Sequence, residues 1–544
     1  MGSIVPRPRL VMHCIFWSFL LAIAGCRAPQ PFLTEEFEEE LRTIETLSLE
    51  EESLTPPVTL EEAEAERELE KPAAPSESLE ITIEEIRKTA LENNLDLMVE
   101  LVNPSISETS VSEEEAKFEA TFFGSSEVFD IEPPTLPLIT GSPRTETQHE
   151  VGVQFPLRTG GTATVSLPIN SVNLDVPGAP TSFQSLLAFS ISQPLLRNAG
   201  LQVNEASITV AKLERRQVDS RTKLAAIRIL ADAERAYWAH YAAGRELEVR
   251  HQQYELAIEQ QNLARRLADL GAVAEIESTR AAVGVARRVE AVIAAETRRR
   301  ATQRNLKRIM NMPGLGINSA VALTPKTEPR PLHLTLDADA LAERAVANRM
   351  ELLEVELQLA IDALTIDVTR RDEFPVFTLG FDYSFGNEAT SLGAAFDDLF
   401  DRDIHELTAG AAFEVPLGNR AARSRHRRAV LQRIASLSTK RQRSLGIRQE
   451  VYDSVDQLEK NWQSILAARY ETLTAARVYE AEQRQFKAGV RTSTEVLEAA
   501  DFLAEGQIRE ILALAGYEIA KIEIAFATGT LLGKGRVRIT PYQP

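Results

Sequence analysis

Two carboxylates stand three residues apart near the C-terminus, in the stretch Phe486-Lys487-Ala488-Gly489-Val490-Arg491-Thr492-Ser493-Thr494-Glu495-Val496-Leu497-Glu498-Ala499. Helical spacing puts Glu495 and Glu498 on one face, just past a helix start. When the earlier stretch Leu267 to Ala281 is aligned with Gly271 on Gly489, Glu277 falls on Glu495. Acids at a helix start serve as caps or as solvated faces. Nothing beside them completes a catalytic set. The seven His form no metal-ligand spacing, and there is no P-loop, nucleophile elbow or Cys–His arrangement. Neither an enzyme nor a cofactor or metal is expected.

The elements that position these acids are helical hairpins. Gly489 suits the left-handed position that closes a helix, and the Thr492-Ser493-Thr494 cluster suits the cap that opens the next. The result is a tight turn between antiparallel helices. Gly271 marks the same turn in an earlier copy. The first hairpin has a long run from Leu201 to Leu270, roughly 100 Å at 1.5 Å per residue, and a return from Ala274 to Met310. The second runs to Ala488 and returns from Glu495 to Ala527. Its positions Ile447, Val451, Val455, Leu458, Trp462 and Ile465 step by three and four, a coiled-coil-like seam.

Ahead of each hairpin lie a short helical segment and strands. Helical spacing predicts a helix from Ile81 to Asn94, and Pro104 predicts a break or a start in the next one. From Phe118 to Gln193 the period becomes two: Val151, Val153 and Phe155, then Val165, Leu167 and Ile169, then Leu187, Phe189 and Ile191, each alternate with small or polar residues. In the second copy Phe377, Leu379, Phe381, Tyr383 and Phe385 alternate clearly, and Leu407, Ala409, Ala411, Phe413 and Val415 return. An aromatic-rich apolar face opposite a polar one suits a transmembrane barrel. The other reading is the edge of a soluble sandwich.

The chain has 544 residues, a net charge of −20 and 44% hydrophobic residues. The acidic balance excludes nucleic acid as the expected partner. Two Cys provide no disulfide framework. Arg7 and Arg9 precede an apolar run from Leu10 to Ala24 that is short for a membrane span. Its ending, Ile23-Ala24-Gly25-Cys26, resembles a bacterial lipoprotein box. That resemblance implies cleavage before Cys26 and lipidation there, against an ordinary secretory signal with an incidental Cys. The Glu-rich stretch that follows reads as a solvated linker. No later helix-length run of about 20 apolar residues occurs, so any membrane crossing falls to strands.

Order and duplication together resemble the TolC family of bacterial outer-membrane efflux and secretion channels, over about residues 80–532. The matching residues are Asn93-Asn94 and Asn348-Arg349, Gln193-Pro194-Leu195 and Val415-Pro416-Leu417, the stretch Phe486 to Ala499, and Ala527-Thr528-Gly529. The resemblance implies a fold that is mainly α with a membrane β-barrel portion: long antiparallel α-helical hairpins that form an α-barrel when trimeric, plus transmembrane strands, in two repeats. The expected organisation is a lipoprotein signal peptide (1–25) and an acidic linker (26–79), then a first repeat (80–315, strands about 118–193). An inter-repeat linker (316–336), a second repeat (337–532, strands about 375–415) and a C-terminal tail (533–544) follow.

The implied function is the passive exit duct of a tripartite efflux or type I secretion system. It would be a homotrimer lipid-anchored in and spanning the bacterial outer membrane, reaching into the periplasm to a periplasmic adaptor and an inner-membrane pump. The alternative is a lipid-anchored periplasmic coiled-coil or adaptor protein without a pore. By position, Glu495 and Glu498 match a periplasmic entrance ring, and Glu277 and Arg491 match a latch between repeats. Phe486 stands where a hydrogen-bonding Tyr can occur. The cluster Arg420, Arg423, Arg425, Arg427 and Arg428 reads either as a solvated face or as a contact for anionic headgroups. The chain departs from the family in one place. Where each half usually gives two strands, the first half offers an added hairpin, about Gln148–Leu157 and Thr162–Ile169. This either widens the barrel or packs inside or outside its wall.

Overall fold

A computed structural model describes residues 77–132, 143–174, 178–397, 399–400 and 404–535. The chain divides into a unit ending at Glu70 and a second from Lys71 to Pro544, and every described residue belongs to the second. The signal segment, Cys26, the acidic linker up to residue 76 and the tail from residue 536 lie outside the described residues.

The first repeat opens with β1 (Ser78–Ile81) and α1 (Ile83–Asn93). A capping box starts α1: Glu85 N–H donates to Thr82 Oγ1, and Thr82 N–H donates to Glu85 Oε2 at 2.8 Å. Helix α2 (Leu95–Ala116) follows, capped by Asn94. Contrary to the break expected at Pro104, that residue lies inside α2. A proline there leaves the carbonyl four residues earlier without its helical donor. The orphan is Glu100 O, and Thr222 Oγ1 donates to it at 3.1 Å.

Four strands come next: β2 (Thr121–Ile131), β3 (Arg144–Pro156), β4 (Thr162–Leu174) and β5 (Ser182–Pro194). A short helix α3 (Leu201–Asn204) leads into α4 (Ala206–Asp269), so the run expected from Leu201 is interrupted at Glu205. Helix α5 (Glu275–Met310) returns along α4. The residues expected as an inter-repeat linker contain β6 (Ala322–Pro325), which pairs in parallel with β1. The second repeat contains α6 (Ala338–Asn348), α7 (Met350–Arg371), β7 (Val376–Ala389), α8 (Leu392–Asp397) and β8 (Ile404–Glu414). Helices α9 (Arg420–Lys487), α10 (Ser493–Ala527) and α11 (Leu531–Gly535) complete it.

The largest core lies where the two repeats meet around β1 and β6. Ile86, Leu230, Tyr237, Trp238, Leu306, Met310 and Ile522 are buried there together. Tyr237 Oη binds both backbone groups of Thr327, and His240 contacts Leu323 O at 3.0 Å, which fixes the inter-repeat segment onto α4. On α9, Ile447, Val451, Leu458 and Ile465 are buried along the expected seam, and Trp462 packs on Tyr517 at 5.7 Å. Among the described residues no helix is long and apolar enough to cross a membrane.

Candidate functional site

All strands but β1 and β6 form one antiparallel sheet, ordered β2-β3-β4-β5-β7-β8. The register carries one face across every strand. Phe122, Val153, Val165, Phe189, Tyr383 and Leu407 are successive partners along one row. Val151, Leu167, Leu187 and Phe385 belong to the next row on the same face. The residues between them are small or polar: Gly152, Ser166, Ala188, Ser384 and Glu406, with Phe123 lying over the gap that Gly152 leaves. On the first face Phe122 and Phe413 stay exposed, at 74% and 65%, whereas Phe385 is buried, its ring 6.4 Å from that of Phe400. Phe377 and Phe413 meet edge-on at 6.3 Å at one end of the sheet. Such a surface suits hydrocarbon with an aromatic girdle, and the opposite face suits water.

The added hairpin is β3 and β4, in the middle of this sheet. Strand β2 pairs with β3 from Thr121↔Gln154 to Ile131↔Arg144 and does not neighbour β5. The turn of the hairpin docks onto the start of the long helices. Gly200 N–H and Gln193 Nε2 both donate to Thr159 O, at 2.9 and 3.1 Å, and Arg158 pairs with Glu205 at 2.9 Å. Gly160 has φ +92°, and a Cβ there would lie 2.1 Å from Asn198 O, so only glycine fits. The two outer strands, β2 and β8, each have a neighbour on one side only.

At the far end of the helices, both hairpin turns close alike. Gly271 N–H donates to Ala268 O and Ala272 N–H to Leu267 O. Gly489 N–H donates to Phe486 O and Val490 N–H to Gln485 O. Both glycines have positive φ, +71° and +73°. These are Schellman closures. Thr492 then caps α10 with Glu495 as its reciprocal partner, and Glu495 Oε2 accepts from Thr492 N–H at 2.7 Å. That backbone bond, then Arg491, holds the Glu495 carboxyl below its ordinary value. Glu498 is exposed one turn later.

The latch expected between Glu277 and Arg491 takes a different form. Arg491 stays within its own hairpin, bonded to Glu495 at 2.5 Å, Gln485 at 3.0 Å and Glu482 at 3.3 Å. Glu277 does tie the repeats, but through a backbone amide: buried Ser493 N–H donates to Glu277 Oε2 at 3.1 Å. The reason is local. The turn's own acids neutralise Arg491, while the first amides of α10 need acceptors. Gln260 Nε2 reaches Ser493 Oγ at 3.5 Å in the same seam.

A further tie was not legible from motif spacing. Arg288 on α5 is 6% exposed and donates to Leu497 O at 3.0 Å and to Asp501 at 2.7 Å, both on α10. Burial lowers the Arg288 guanidinium from its ordinary value and raises the Asp501 carboxyl. Gly284, one turn before, makes room: a Cβ there would lie 2.6 Å from Leu497 Cδ1. Phe486, where a Tyr was considered, is buried against Ala264, Ala281 and Val496. Of the arginine cluster, Arg425 lies 3.8 Å from Asp372. Among the described residues no group of His, Cys, Asp and Glu is placed to hold a metal.

Residues 341–530 match the family model described as outer membrane efflux protein. A comparison with curated protein sequences finds no significant match. In structure the chain is similar to the CmeC outer membrane channel of Campylobacter jejuni (TM-score 0.63, 13% identity, 82% of this chain and 85% of that one). It is also similar to the outer membrane protein VceC of Vibrio cholerae (TM-score 0.61, 13% identity, 82% and 96%). A membrane protein of Pseudomonas aeruginosa is a third (TM-score 0.64, 15% identity, 82% and 90%). At such identities the likeness is one of fold.

Proposed function

We infer, from the match of residues 341–530 to the outer membrane efflux protein model, that this chain is a subunit of an exit duct in the outer membrane that reaches into the periplasm. The observation that carries this reading is an incomplete wall. One copy has an open sheet with a lipid-compatible face and two free edges. In hydrocarbon an unpaired strand edge costs several kcal/mol per group. A head-to-tail ring, β8 of one copy against β2 of the next, removes every edge.

Three copies are the assembly proposed. The helical walls supply a second argument for neighbours. Leu95, Val99, Val102 and Ile106 on α2, and Leu431, Ile434, Leu437 and Leu445 on α9, are exposed apolar stripes. A ring covers them with the next copy. The long helices then continue the duct, with the tips as its periplasmic entrance. There Glu498, exposed and repeated around the ring, adds negative charge. Glu495 contributes less, because Arg491 and the cap already engage it. An adaptor and an inner-membrane pump would feed this entrance, and a lipid on Cys26 would add an outer-membrane anchor. The duct lowers a barrier to passage and does no chemistry.

Planar-bilayer recording of the purified protein, with sizing in detergent, tests the reading. Trimers that conduct are expected. Monomers without conductance would instead favour the lipid-anchored coiled-coil or adaptor alternative.

A further inference from the structure

We propose that the outer-membrane wall of this protein has eighteen strands, three six-stranded sheets closed in a ring, and that the barrel is therefore too wide to select cargo by size. The inference rests on the three-copy ring proposed above. Its own basis is the place of β3 and β4. They are neither a flap nor a plug, because β2 and β5, which would otherwise be neighbours, are separated by both of them. The pairing runs the full length of β3, from Arg144↔Leu174 to Pro156↔Thr162 on its second side.

The side chains agree with the pairing. Val151 and Val153 continue the apolar face, in line with Leu167 and Val165 and then with Leu187 and Phe189. Gly152 lies on the opposite face, where a Cβ would meet Ser166 Cβ and Val165 O, each at 2.8 Å. The turn at Thr159 and Gly160 sits on the start of the helices through the bonds of Gln193 and Gly200. A hairpin packed inside or outside a finished wall would satisfy none of these contacts.

Girth follows from strand number. With neighbouring strands about 4.8 Å apart and tilted about 40°, each strand occupies about 6.3 Å of circumference. Eighteen strands then enclose a ring about 36 Å across, and twelve at the same tilt about 24 Å, in line with the near-linear growth of diameter with strand number. The cross-section between backbones rises about 2.3-fold by the same scaling. Next to the sheet, three copies of α2, α4, α7 and α9, at about 8–10 Å spacing, form a ring of about 31–38 Å, which spans the same size. The sheet wall thus continues the helical duct without a step inward, and the constriction lies at the hairpin tips.

The test is electron microscopy of the full-length protein in lipid nanodiscs, beside a chain lacking residues 144–174. Both ends of that deletion lie on the same side of the sheet, so removing it keeps the up-and-down order. The full-length wall is expected to show eighteen strands, and the shortened one twelve at about two-thirds of the diameter. A trimeric full-length wall with any other strand count, or with residues 144–174 in the lumen or outside the wall, overturns the inference. The full-length map decides this whether or not the shortened chain assembles. A full-length chain that forms no ring overturns the three-copy reading itself, and the inference with it.

Discussion

Replacing Glu277 by Ala isolates the tie between the two hairpin tips. Glu277 is 8% exposed, and its carboxylate accepts the buried Ser493 amide at 3.1 Å and pairs with Arg280 at 2.5 Å. Removing the acceptor leaves that amide buried and unpaired, which costs about 1–3 kcal/mol. It also removes a negative charge from the start of α10, worth about 0.3–1 kcal/mol. The loss of about 1.3–4 kcal/mol falls on the seam between repeats. At about 1.4 kcal/mol per tenfold, the arrangement in which the two tips are tied is disfavoured by about one to nearly three orders of magnitude. Single-channel recording reads this as a larger open fraction. Glu277→Gln keeps an acceptor and loses only the charge, so its shift is expected to be less than about tenfold. Arg491→Ala is the contrast, because Arg491 bonds only within its own hairpin. An E277A channel with wild-type gating, or an R491A channel that opens more than E277A, would refute the assignment of the tie to Glu277 and Ser493.

Glu498→Gln should reduce cation selectivity, measured by reversal potential in a salt gradient, and Glu495→Gln should reduce it less because Arg491 already pairs with that acid. Leu167→Arg points a charge from the added hairpin at lipid, with an expected cost of about 2–4 kcal/mol near mid-membrane. Thr164→Arg, on the opposite face, should be tolerated, and the urea midpoint of the trimer compares the two. The pH response of the α10 cap follows from Glu495, whose carboxyl is held below 4.5. Its contribution is present above that unfolded value and lost as pH falls through the lower folded value. The protection factor of the Thr492 amide, which donates to Glu495, should therefore hold down to about pH 5 and fall only below.

What the sequence revealed follows from where the determinants lie. Phe377 to Phe385 read as a strand because its two faces differ in every residue, and Gly489 with Thr492 read as a turn because closure and cap are local chemistry. Long-range partners were hidden. Pro104 looks like a helix breaker until Thr222, far along the chain, bonds the orphan carbonyl of Glu100. The four-residue strands β1 and β6 carry too little pattern to announce a parallel pair between repeats. Arg288 sits among many arginines on α5, and only Gly284 one turn earlier hints at a close approach. Glu277 was found by alignment of the two turns, but its partner could not be, since the backbone amide of Ser493 has no signature in residue type.

The two hairpins are held together unevenly along their length, and this bears on where the duct can open. Around the β1–β6 pair, mid-way along the long helices, the contacts are large: Tyr237, Trp238, Leu230, Ile522 and, on the second hairpin, Trp462 against Tyr517. Toward the tips the core breaks into smaller clusters, in which Ala257, Ala264, Ala281 and Ala504 pack among Val249, Val285, Val496, Leu497, Ile508 and Phe486. Each buried methylene contributes about 0.8 kcal/mol, so each small cluster contributes less than the large one around Tyr237 and Trp238. Alanine and Gly284 also bring backbones close enough for Arg288 to reach Leu497 O and for Glu277 to reach Ser493 N. The polar ties therefore carry a larger share of the cohesion at the tips than anywhere else along the helices. Separation of the hairpins is expected to concentrate there, at the end that also bears Glu498, which hydrogen exchange along α5 and α10 would measure as lower protection at the tips than beside Tyr237.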